Sequence, residues 1–237
     1  MLELDQVTIR FGGLVAVNHV SFSMQQNEVV GLVGPNGAGK TTLFNAVSGL
    51  VRPNSGQIRF QQQNIMRMPL HKRARQGIGR SFQIPQPLHQ LTVRENLLVA
   101  QRFGMGRVDM PKIDEILSFM GLAHKAESQA ATDLALTELK ALEVAKALAT
   151  EPKLLLLDEV LAGLEVKGKA HFMRLLKTLQ QERQIGILII EHDIETIMQL
   201  CNRVCVLNFG QLIADGEPEK VFKMPEVMQS YTGEIHA

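Results

Sequence analysis

The chain has 237 residues, 45% of them hydrophobic, which suffices for one substantial domain or for one domain with an inserted lobe. Its 25 Lys and Arg residues balance its 24 Asp and Glu residues to a formal net charge of +1. This balance argues against a nucleic-acid-binding protein, which concentrates basic charge on one face, and two cysteines are too few for a metal site.

The N-terminus, MLELDQ, is acidic where a secretory signal peptide would be basic and then apolar. No apolar run in the sequence approaches the ~18 residues of a membrane span. The sequence therefore predicts a cytoplasmic protein, or one that reaches a membrane only through a partner.

The first quarter of the chain is predicted to be β-structure followed by a helix. Residues 2 to 33 contain the partly alternating segment LELDQVTIRF and then VSFSM and EVVGLV, which are typical of strands. The segment KTTLFNAVSGL is predicted to be a helix with Leu43, Phe44, Val47 and Leu50 on one apolar stripe.

Between these two elements, the segment GPNGAGKTT matches the pattern G-x-x-x-x-G-K-[ST], in the strand–loop–helix context that the pattern requires. Glycines let backbone N–H groups wrap the β- and γ-phosphates, and the N-terminus of the helix adds its positive end. Lys40 is predicted to reach these phosphates, and Thr41 to supply an oxygen to Mg²⁺. The candidate nucleotide-binding residues of this loop are Gly34, Pro35, Asn36, Gly37, Ala38, Gly39, Lys40, Thr41 and Thr42.

From about residue 84 to residue 150 the pattern changes to helices. Thr92 and Glu95 have the spacing of a capping box at the start of LTVRENLLVA. The helix PKIDEILSFMGL begins with Pro111, a residue that the first turn of a helix tolerates well.

Two short segments, LLLLDE and GILIIEHD, are apolar throughout, as parallel strands buried on both faces are. The amphipathic segment GKAHFMRLLKTLQQER lies between them and is predicted to be a crossover helix. Strand, helix and strand in this order predict a right-handed parallel α/β core. A hairpin around NFGQ and a short terminal helix complete the chain.

Polar side chains follow both apolar strands, at the edge where open α/β sheets bind ligands. Asp158 is predicted to hold Mg²⁺ through water, and Glu159 to polarise an attacking water. His192 could donate a hydrogen bond to a γ-phosphate as a neutral imidazole. Taken singly, His192, Gln83 and Phe11 each have a simpler explanation as ordinary structural residues.

Together these features resemble the ATP-binding cassette ATPases over nearly the whole chain. In the terms of that family, GPNGAGKTT matches the Walker A motif, Gln83 the Q-loop, LLLLDE the Walker B motif, AGLE the D-loop and His192 the switch. Phe11 matches the position of the aromatic residue that stacks on adenine. The resemblance implies ATP and Mg²⁺ as ligands, with Gln83 near the metal and, together with Glu159 and His192, in the catalytic set.

The resemblance also implies a fold. It is an α/β P-loop NTPase fold with a mostly parallel RecA-like core, an N-terminal antiparallel β region and an inserted α-helical lobe. The single domain would span residues 1–237, with about 1–83 and 151–237 as the core and about 84–150 as the lobe. The family works as a head-to-tail dimer in which each ATP lies between one subunit's Walker A motif and the other subunit's signature.

Within the family, the segments GGLVAVNHVSF, GIGRSFQ, LTVRENLLVA and SYTGEI are most similar to the ATPases of branched-chain amino acid importers. That similarity implies transmembrane permease subunits, a second ATPase subunit, an extracytoplasmic solute-binding protein as an indirect partner, and a place on the cytoplasmic face of the inner membrane. A heterodimer of ATPases is favoured, with a homodimer as the alternative. The alternative functions are a urea, amide or other small-solute system, a soluble non-transport cassette protein, and a purely regulatory subunit.

Three departures from the family pattern stand out. The signature, usually L-S-G-G-Q, is replaced by LALTE, so that Ala135, Thr137 and Glu138 would face a partner's nucleotide. Val160 stands where proline is usual, and Glu165 ends the D-loop where Asp or Asn is usual. The altered signature predicts that this chain completes the partner's nucleotide site poorly.

Overall fold

The computed structural model describes residues 1–232, so the last part of the SYTGEI segment, residues 233–235, lies outside the described residues. The chain divides into two compact units. The first unit contains Met1–Leu70 and the described chain from Gly186 onward, and the second contains His71–Ile185. The core and lobe boundaries near residues 83 and 151 stay a prediction.

The first unit contains an antiparallel sheet built from β1 (Leu2–Phe11), β2 (Leu14–Met24), β4 (Ser55–Phe60) and β5 (Gln63–Asn64). The strand order is β2-β1-β4-β5. Strand β1 lies between its neighbours, because Leu2 pairs with Met24 on one side and with Phe60 on the other. All three of these side chains are buried, and buried and exposed residues alternate along part of β1, as its sequence predicts.

The first unit also contains mostly parallel strands, namely β3 (Val29–Val33), β8 (Gly186–Ile190), β9 (Arg203–Asn208) and β10 (Gln211–Gly216). Strand β3 pairs in parallel with β8 and with β9, and β9 pairs antiparallel with β10 in the predicted hairpin. Every residue of β3 and β8 is buried, which explains why both segments are apolar throughout.

The helices of the first unit are α1 (Lys40–Ser48), α7 (Ile194–Leu200), α8 (Pro218–Val221) and α9 (Pro225–Thr232). The predicted stripe on α1 is confirmed for Leu43, Phe44 and Val47, which are buried, but it is wrong for Leu50. Helix α1 ends at Ser48 because Gly49 takes the left-handed conformation of a helix C-cap, and Leu50 lies beyond it with 50% of its surface exposed.

The second unit contains two parallel strands and most of the helices. The strands are β6 (Ile78–Arg80) and β7 (Leu154–Asp158). The helices are α2 (Leu70–Gln76), which begins at the boundary, then α3 (Val93–Met105), α4 (Met110–Phe119), α5 (Leu136–Ala149) and α6 (Val166–Arg183), with a 3₁₀ turn at Ala123–Lys125.

The predicted helix signals of this region are confirmed. The Thr92 hydroxyl accepts a hydrogen bond from the Glu95 N–H at 3.2 Å, and the Glu95 carboxylate accepts one from the Thr92 N–H at 2.8 Å. Pro111 lies in the first turn of α4. Helix α6 occupies the predicted crossover segment between β7 and β8 in the sequence. Within residues 1–232, no helix combines the length and the apolar character that crossing a membrane requires.

Candidate active site

The loop between β3 and α1 has the backbone of a phosphate-binding loop. Gly34, Gly37 and Gly39 have φ values of 142°, 79° and 99°, a region that residues with a Cβ rarely adopt. Space is also restricted, because a Cβ on Gly34 would lie 2.0 Å from the carbonyl oxygen of Leu207, and one on Gly39 would lie 2.4 Å from that of Ala16. Close backbone packing therefore requires glycine at two of the three positions.

The N-terminus of α1 is suited to an anion. No acidic residue lies in its first turn, and no side chain caps it, so the positive end of the helix dipole is not neutralised locally. Lys40 opens the helix and is buried, with its Nζ donating to the carbonyl oxygens of Gly34 at 2.7 Å and Pro35 at 2.9 Å. The ammonium group is thus held beside the loop that the sequence predicts will bind phosphate.

His192 and the phosphate loop follow the carboxyl ends of two neighbouring parallel strands. Leu32 of β3 pairs with Ile190 of β8, and Gly34 and His192 each follow these paired residues by two positions. His192 is exposed and stands immediately before Asp193, the residue that caps helix α7. Phe11 is the last residue of β1 and is half exposed, so its ring is available for stacking.

A residue that the sequence does not single out also contacts this loop. The phenol of Tyr231 on α9 lies beside the backbone of Gly34, the first glycine of the phosphate loop. Burial raises the pKa of the Tyr231 phenol, and the nearby Gly34 backbone partly opposes this rise. The C-terminal helix thereby places a phenol beside the candidate nucleotide site.

Because Tyr231 lies beside the phosphate loop, its fluorescence is expected to report nucleotide binding in solution. The chain contains one tyrosine and no tryptophan, so excitation in the tyrosine band, where phenylalanine does not absorb, yields emission from Tyr231 alone. Titration with MgATP is expected to change that emission saturably, because phosphate binding alters the loop on which the phenol rests. Lys40→Ala is expected to remove the response at the same ATP concentrations, and Tyr231→Phe to remove the signal altogether. An unchanged emission during titration, at ATP concentrations that an independent assay shows to be bound, would contradict this placement.

In the second unit, the ends of β6 and β7 bring Asp158 and Arg80 together. The Arg80 Nη2 lies 3.3 Å from Oδ2 of Asp158, and both side chains are largely buried. Desolvation lowers the pKa of Arg80, and the Asp158 carboxylate opposes this shift. The Ser81 hydroxyl also accepts a hydrogen bond from the Asp158 N–H at 3.4 Å. Asp158 is thus fixed with a cation beside it.

Glu159 and Gln83 meet at the same edge. The Gln83 Nε2 donates to Oε2 of Glu159 at 2.6 Å, which links the two residues that the sequence assigned to catalysis from 76 positions apart. Glu159 has a φ of 50°, in the left-handed region, and Val160 after it is buried. The buried valine occupies the position where the family usually has proline, and it packs into the interior rather than facing solvent.

The LALTE segment forms the N-terminus of α5, with Ala135 at the N-cap. Alanine has no side-chain acceptor, so only the reciprocal half of a capping box exists, in which Glu138 Oε2 accepts from the Ala135 N–H at 2.8 Å. The other oxygen, Oε1, lies 3.5 Å from His124 Nε2. The carboxylate therefore turns back onto the N-terminus of its own helix, where it offsets the helix dipole.

The oxygen donors available suit Mg²⁺ bound together with phosphate. Mg²⁺ prefers oxygen ligands and commonly takes only one or two from the protein, the others being water and substrate phosphates. Thr41 is exposed on α1, and Asp158 offers a carboxylate. Among residues 1–232 no group of three or more His, Cys, Asp and Glu side chains could hold a metal ion by itself. The oxygens of Thr41 and Asp158, the first in one unit and the second in the other, are each of the kind that Mg²⁺ takes beside water and phosphate.

The structure thus collects the predicted residues into two sets. The first unit holds the phosphate loop, Phe11 and His192, and the second holds Gln83, Asp158, Glu159 and the LALTE segment. Sequence reasoning missed Arg80, Tyr231 and Lys140, whose contacts join distant parts of the chain and follow no local pattern.

The chain resembles known proteins along almost all of its length. Residues 17–162 match the family model described as ABC transporter. The chain is 36% identical over 250 residues to the high-affinity branched-chain amino acid transport ATP-binding protein BraF of Pseudomonas aeruginosa, covering 99% of this chain and 98% of BraF. The similarity to LivG of Escherichia coli K12, a protein of the same description, is 36% over 251 residues, covering 99% and 98%.

A protein of another transport system is similar to the same extent. LptB of Acidithiobacillus ferridurans, a lipopolysaccharide export system ATP-binding protein, is 36% identical over 236 residues, covering 99% of this chain and 97% of LptB. Overall identity alone therefore does not separate the two kinds of cargo.

Solved structures share the fold. MJ1267, an ATP-binding cassette of an ABC transporter in its ADP conformation, matches with a TM-score of 0.89 and 30% identity, covering 99% of both chains. MJ0796, a cassette solved as a dimer in a post-hydrolysis state with ADP and Pi, matches with a TM-score of 0.82 and 25% identity, covering 92% of this chain and 99% of that chain. The α/β fold class predicted from the sequence is confirmed by these matches.

Proposed function

Because this chain belongs to the ABC transporter family and is an ATPase, we propose that it powers a membrane importer of branched-chain or related amino acids. The observation that carries the proposal is the Gln83–Glu159 hydrogen bond at the end of a buried strand, in a chain whose phosphate loop has the required backbone. The cargo is proposed from BraF and LivG, whose similarity to this chain covers almost the full length of each protein.

The proposed reaction is attack of water on the γ-phosphorus of ATP. Lys40 and the loop N–H groups hold the phosphates, and Glu159 accepts the proton that the attacking water loses. The bond between the γ-phosphorus and the bridging oxygen breaks, and its electron pair stays on ADP. Gln83 orients the Glu159 carboxylate, and His192 donates to a γ-phosphate oxygen as it departs. Thr41, Asp158 and Gln83 would hold Mg²⁺, which supplies positive charge to the phosphates when bound.

We infer a second ATPase subunit as the direct partner, with a heterodimer favoured. The MJ0796 cassette was solved as a dimer, and the altered LALTE segment would complete a second copy's site poorly. We further propose that permease subunits bind near the Q-loop, because large apolar side chains flank Gln83 on the surface. Phe82, Ile84 and Leu88 are exposed by 39%, 70% and 42%. The complex would lie at the cytoplasmic face of the inner membrane, with a solute-binding protein as an indirect partner outside.

A lipopolysaccharide-type export ATPase is the second candidate, favoured by the 36% identity to LptB. Both candidates share the ATP chemistry and differ only in the permease and the cargo. Purification of the membrane subunits that bind this chain, followed by identification of the transported compound, separates them.

The isolated subunit is expected to bind MgATP through Lys40 and to hydrolyse it slowly. Its own signature lacks the serine and both glycines, so a second copy cannot supply a good one. Steady-state hydrolysis by the purified subunit, compared with the complex formed with the permease and the second ATPase, tests this expectation. Rapid Mg²⁺-dependent turnover by the subunit alone, with no dependence on protein concentration, would refute it.

A further inference from the structure

Lys140, a residue of helix α5, joins that helix to the loop that carries Glu159. Its ammonium group donates to the carbonyl oxygen of Glu159 at 3.0 Å and to that of Ala162 at 2.5 Å. Only 6% of the residue is exposed. A helical lysine is ordinarily solvated at its charged end, so the burial of this one indicates a specific task.

The loop after β7 needs such support because of its backbone. Glu159 has a φ of 50°, and non-glycine residues remain in this region only when surrounding contacts hold them there. The Ala162 N–H donates to the Glu159 carbonyl oxygen at 3.3 Å and closes the loop into a turn. The Lys140 ammonium bonds to the same oxygen, so the carbonyl of Glu159 is held from two directions.

Glu159 is therefore fixed at both ends within the second unit. Gln83 holds the carboxylate at 2.6 Å, and Lys140 holds the peptide group of the same residue. A general base must lie within hydrogen-bond reach of the proton that it accepts, and a displacement of about 1 Å can cost on the order of 100-fold in rate. The direction in which the carboxylate points depends on the backbone to which Lys140 binds.

We propose that Lys140 is a positioning residue for ATP hydrolysis, which holds the backbone of Glu159 so that the carboxylate faces the attacking water. Lys140 acts through Glu159 and not on the nucleotide. The inference rests on the proposed function, because it takes Glu159 as the base.

The test uses the complete complex of this chain with its permease and the second ATPase. Lys140→Met removes the ammonium group at similar length, so kcat is expected to fall by ~10- to 100-fold, with KM for MgATP changed by less than about twofold. Lys140→Arg keeps a cationic donor and is expected to recover most of kcat. Lys177→Met, the same change at an exposed lysine of α6, is the matched control and should keep the wild-type kcat.

A double-mutant cycle separates positioning from general destabilisation. In the Glu159→Gln background, Lys140→Met should lower the rate by less than about twofold, because the group through which it acts is already gone. If the rate losses of Lys140→Met and Glu159→Gln multiply in the double variant, the inference is wrong. It is also wrong if Lys140→Arg does not restore kcat. If thermal unfolding shows that Lys140→Met is not folded, Lys140→Gln replaces it under the same criteria.

Different results would refute the proposed function and the role of Lys140. A wild-type complex without ATPase activity would refute the proposed function itself. An active complex that loses activity in Glu159→Gln but keeps its kcat in Lys140→Met would refute only the role of Lys140.

Discussion

Replacing Glu159 by glutamine is expected to lower ATP hydrolysis by the assembled complex by ~10²–10⁴-fold, the cost of removing a positioned base. Glutamine keeps the size of the side chain and can still pair with Gln83, but its amide cannot accept a proton from water. MgATP affinity should change little, because the phosphate loop and Lys40 are untouched. Single-turnover hydrolysis and nucleotide binding, measured on the same preparation, check both halves of the expectation.

Two comparisons make this result specific. Glu182→Gln is a matched control, because Glu182 is an exposed glutamate near the C-terminal end of α6, outside every motif of the site. It should leave single-turnover hydrolysis close to the wild-type rate. If Glu159→Gln also hydrolyses ATP at that rate, another group is the base and the role given to Glu159 is wrong.

The second large effect concerns Lys40 and the equivalent lysine of the second ATPase. Lys40→Ala is expected to abolish most of the ATPase activity of a heterodimeric complex, whereas the partner's lysine change should leave a large share. The reason is that, in the proposed heterodimer, the partner's signature would complete the ATP site on this subunit, while ATP on the partner would face LALTE. Loss of one well-placed phosphate contact typically costs on the order of 100-fold or more in rate.

Three features of the structure indicate that LALTE would bind a partner's nucleotide poorly. Ala135 offers no hydroxyl at the N-cap of α5, and Thr137 and Leu136 put side chains where the family has glycine. Glu138 already occupies the helix N-terminus, with its carboxylate on the Ala135 N–H. Two negative unit charges about 5 Å apart, at an effective dielectric constant of about 20, repel each other by ~3 kcal/mol before screening. A phosphate at this helix end would meet that repulsion.

Steady-state ATPase rates of the two single-lysine variants, in otherwise identical complexes, give the comparison. Lys177→Ala in this chain controls for loss of an unrelated lysine. Equal losses from both variants would indicate that the two sites hydrolyse ATP only together. A larger loss from the partner's variant would reverse the assignment of the active site.

Local patterns predicted those parts of the fold that local physics decides. The capping box of Thr92 and Glu95 and the strand that ends at Asp158 are set by residues close in sequence, and both are confirmed. The stripe on α1 was extended one residue too far, to Leu50, although Gly49 is the kind of residue that ends a helix. The left-handed conformation of Gly49 ends the helix before the apolar periodicity reaches Leu50.

Contacts between distant residues could not be predicted in this way. Arg80 and Asp158 are 78 positions apart, and Lys140 and Glu159 are 19 apart across a strand. Contacts over such separations depend on how the strands and helices pack, and no local sequence pattern predicts them. The resemblance to a family predicted Gln83 and Glu159 as catalytic residues, and their hydrogen bond gives that assignment a physical basis.

ATP-driven uptake by the reconstituted complex tests the central claim most directly. The permease subunits, this chain and the second ATPase are placed in vesicles with the solute-binding protein outside and MgATP inside, and entry of radiolabelled leucine is measured. Uptake that requires MgATP and is lost in Glu159→Gln, but not in Glu182→Gln, is the predicted result. ATP hydrolysis without uptake of leucine, isoleucine or valine, or uptake that survives Glu159→Gln, would contradict the proposal that this chain powers their import.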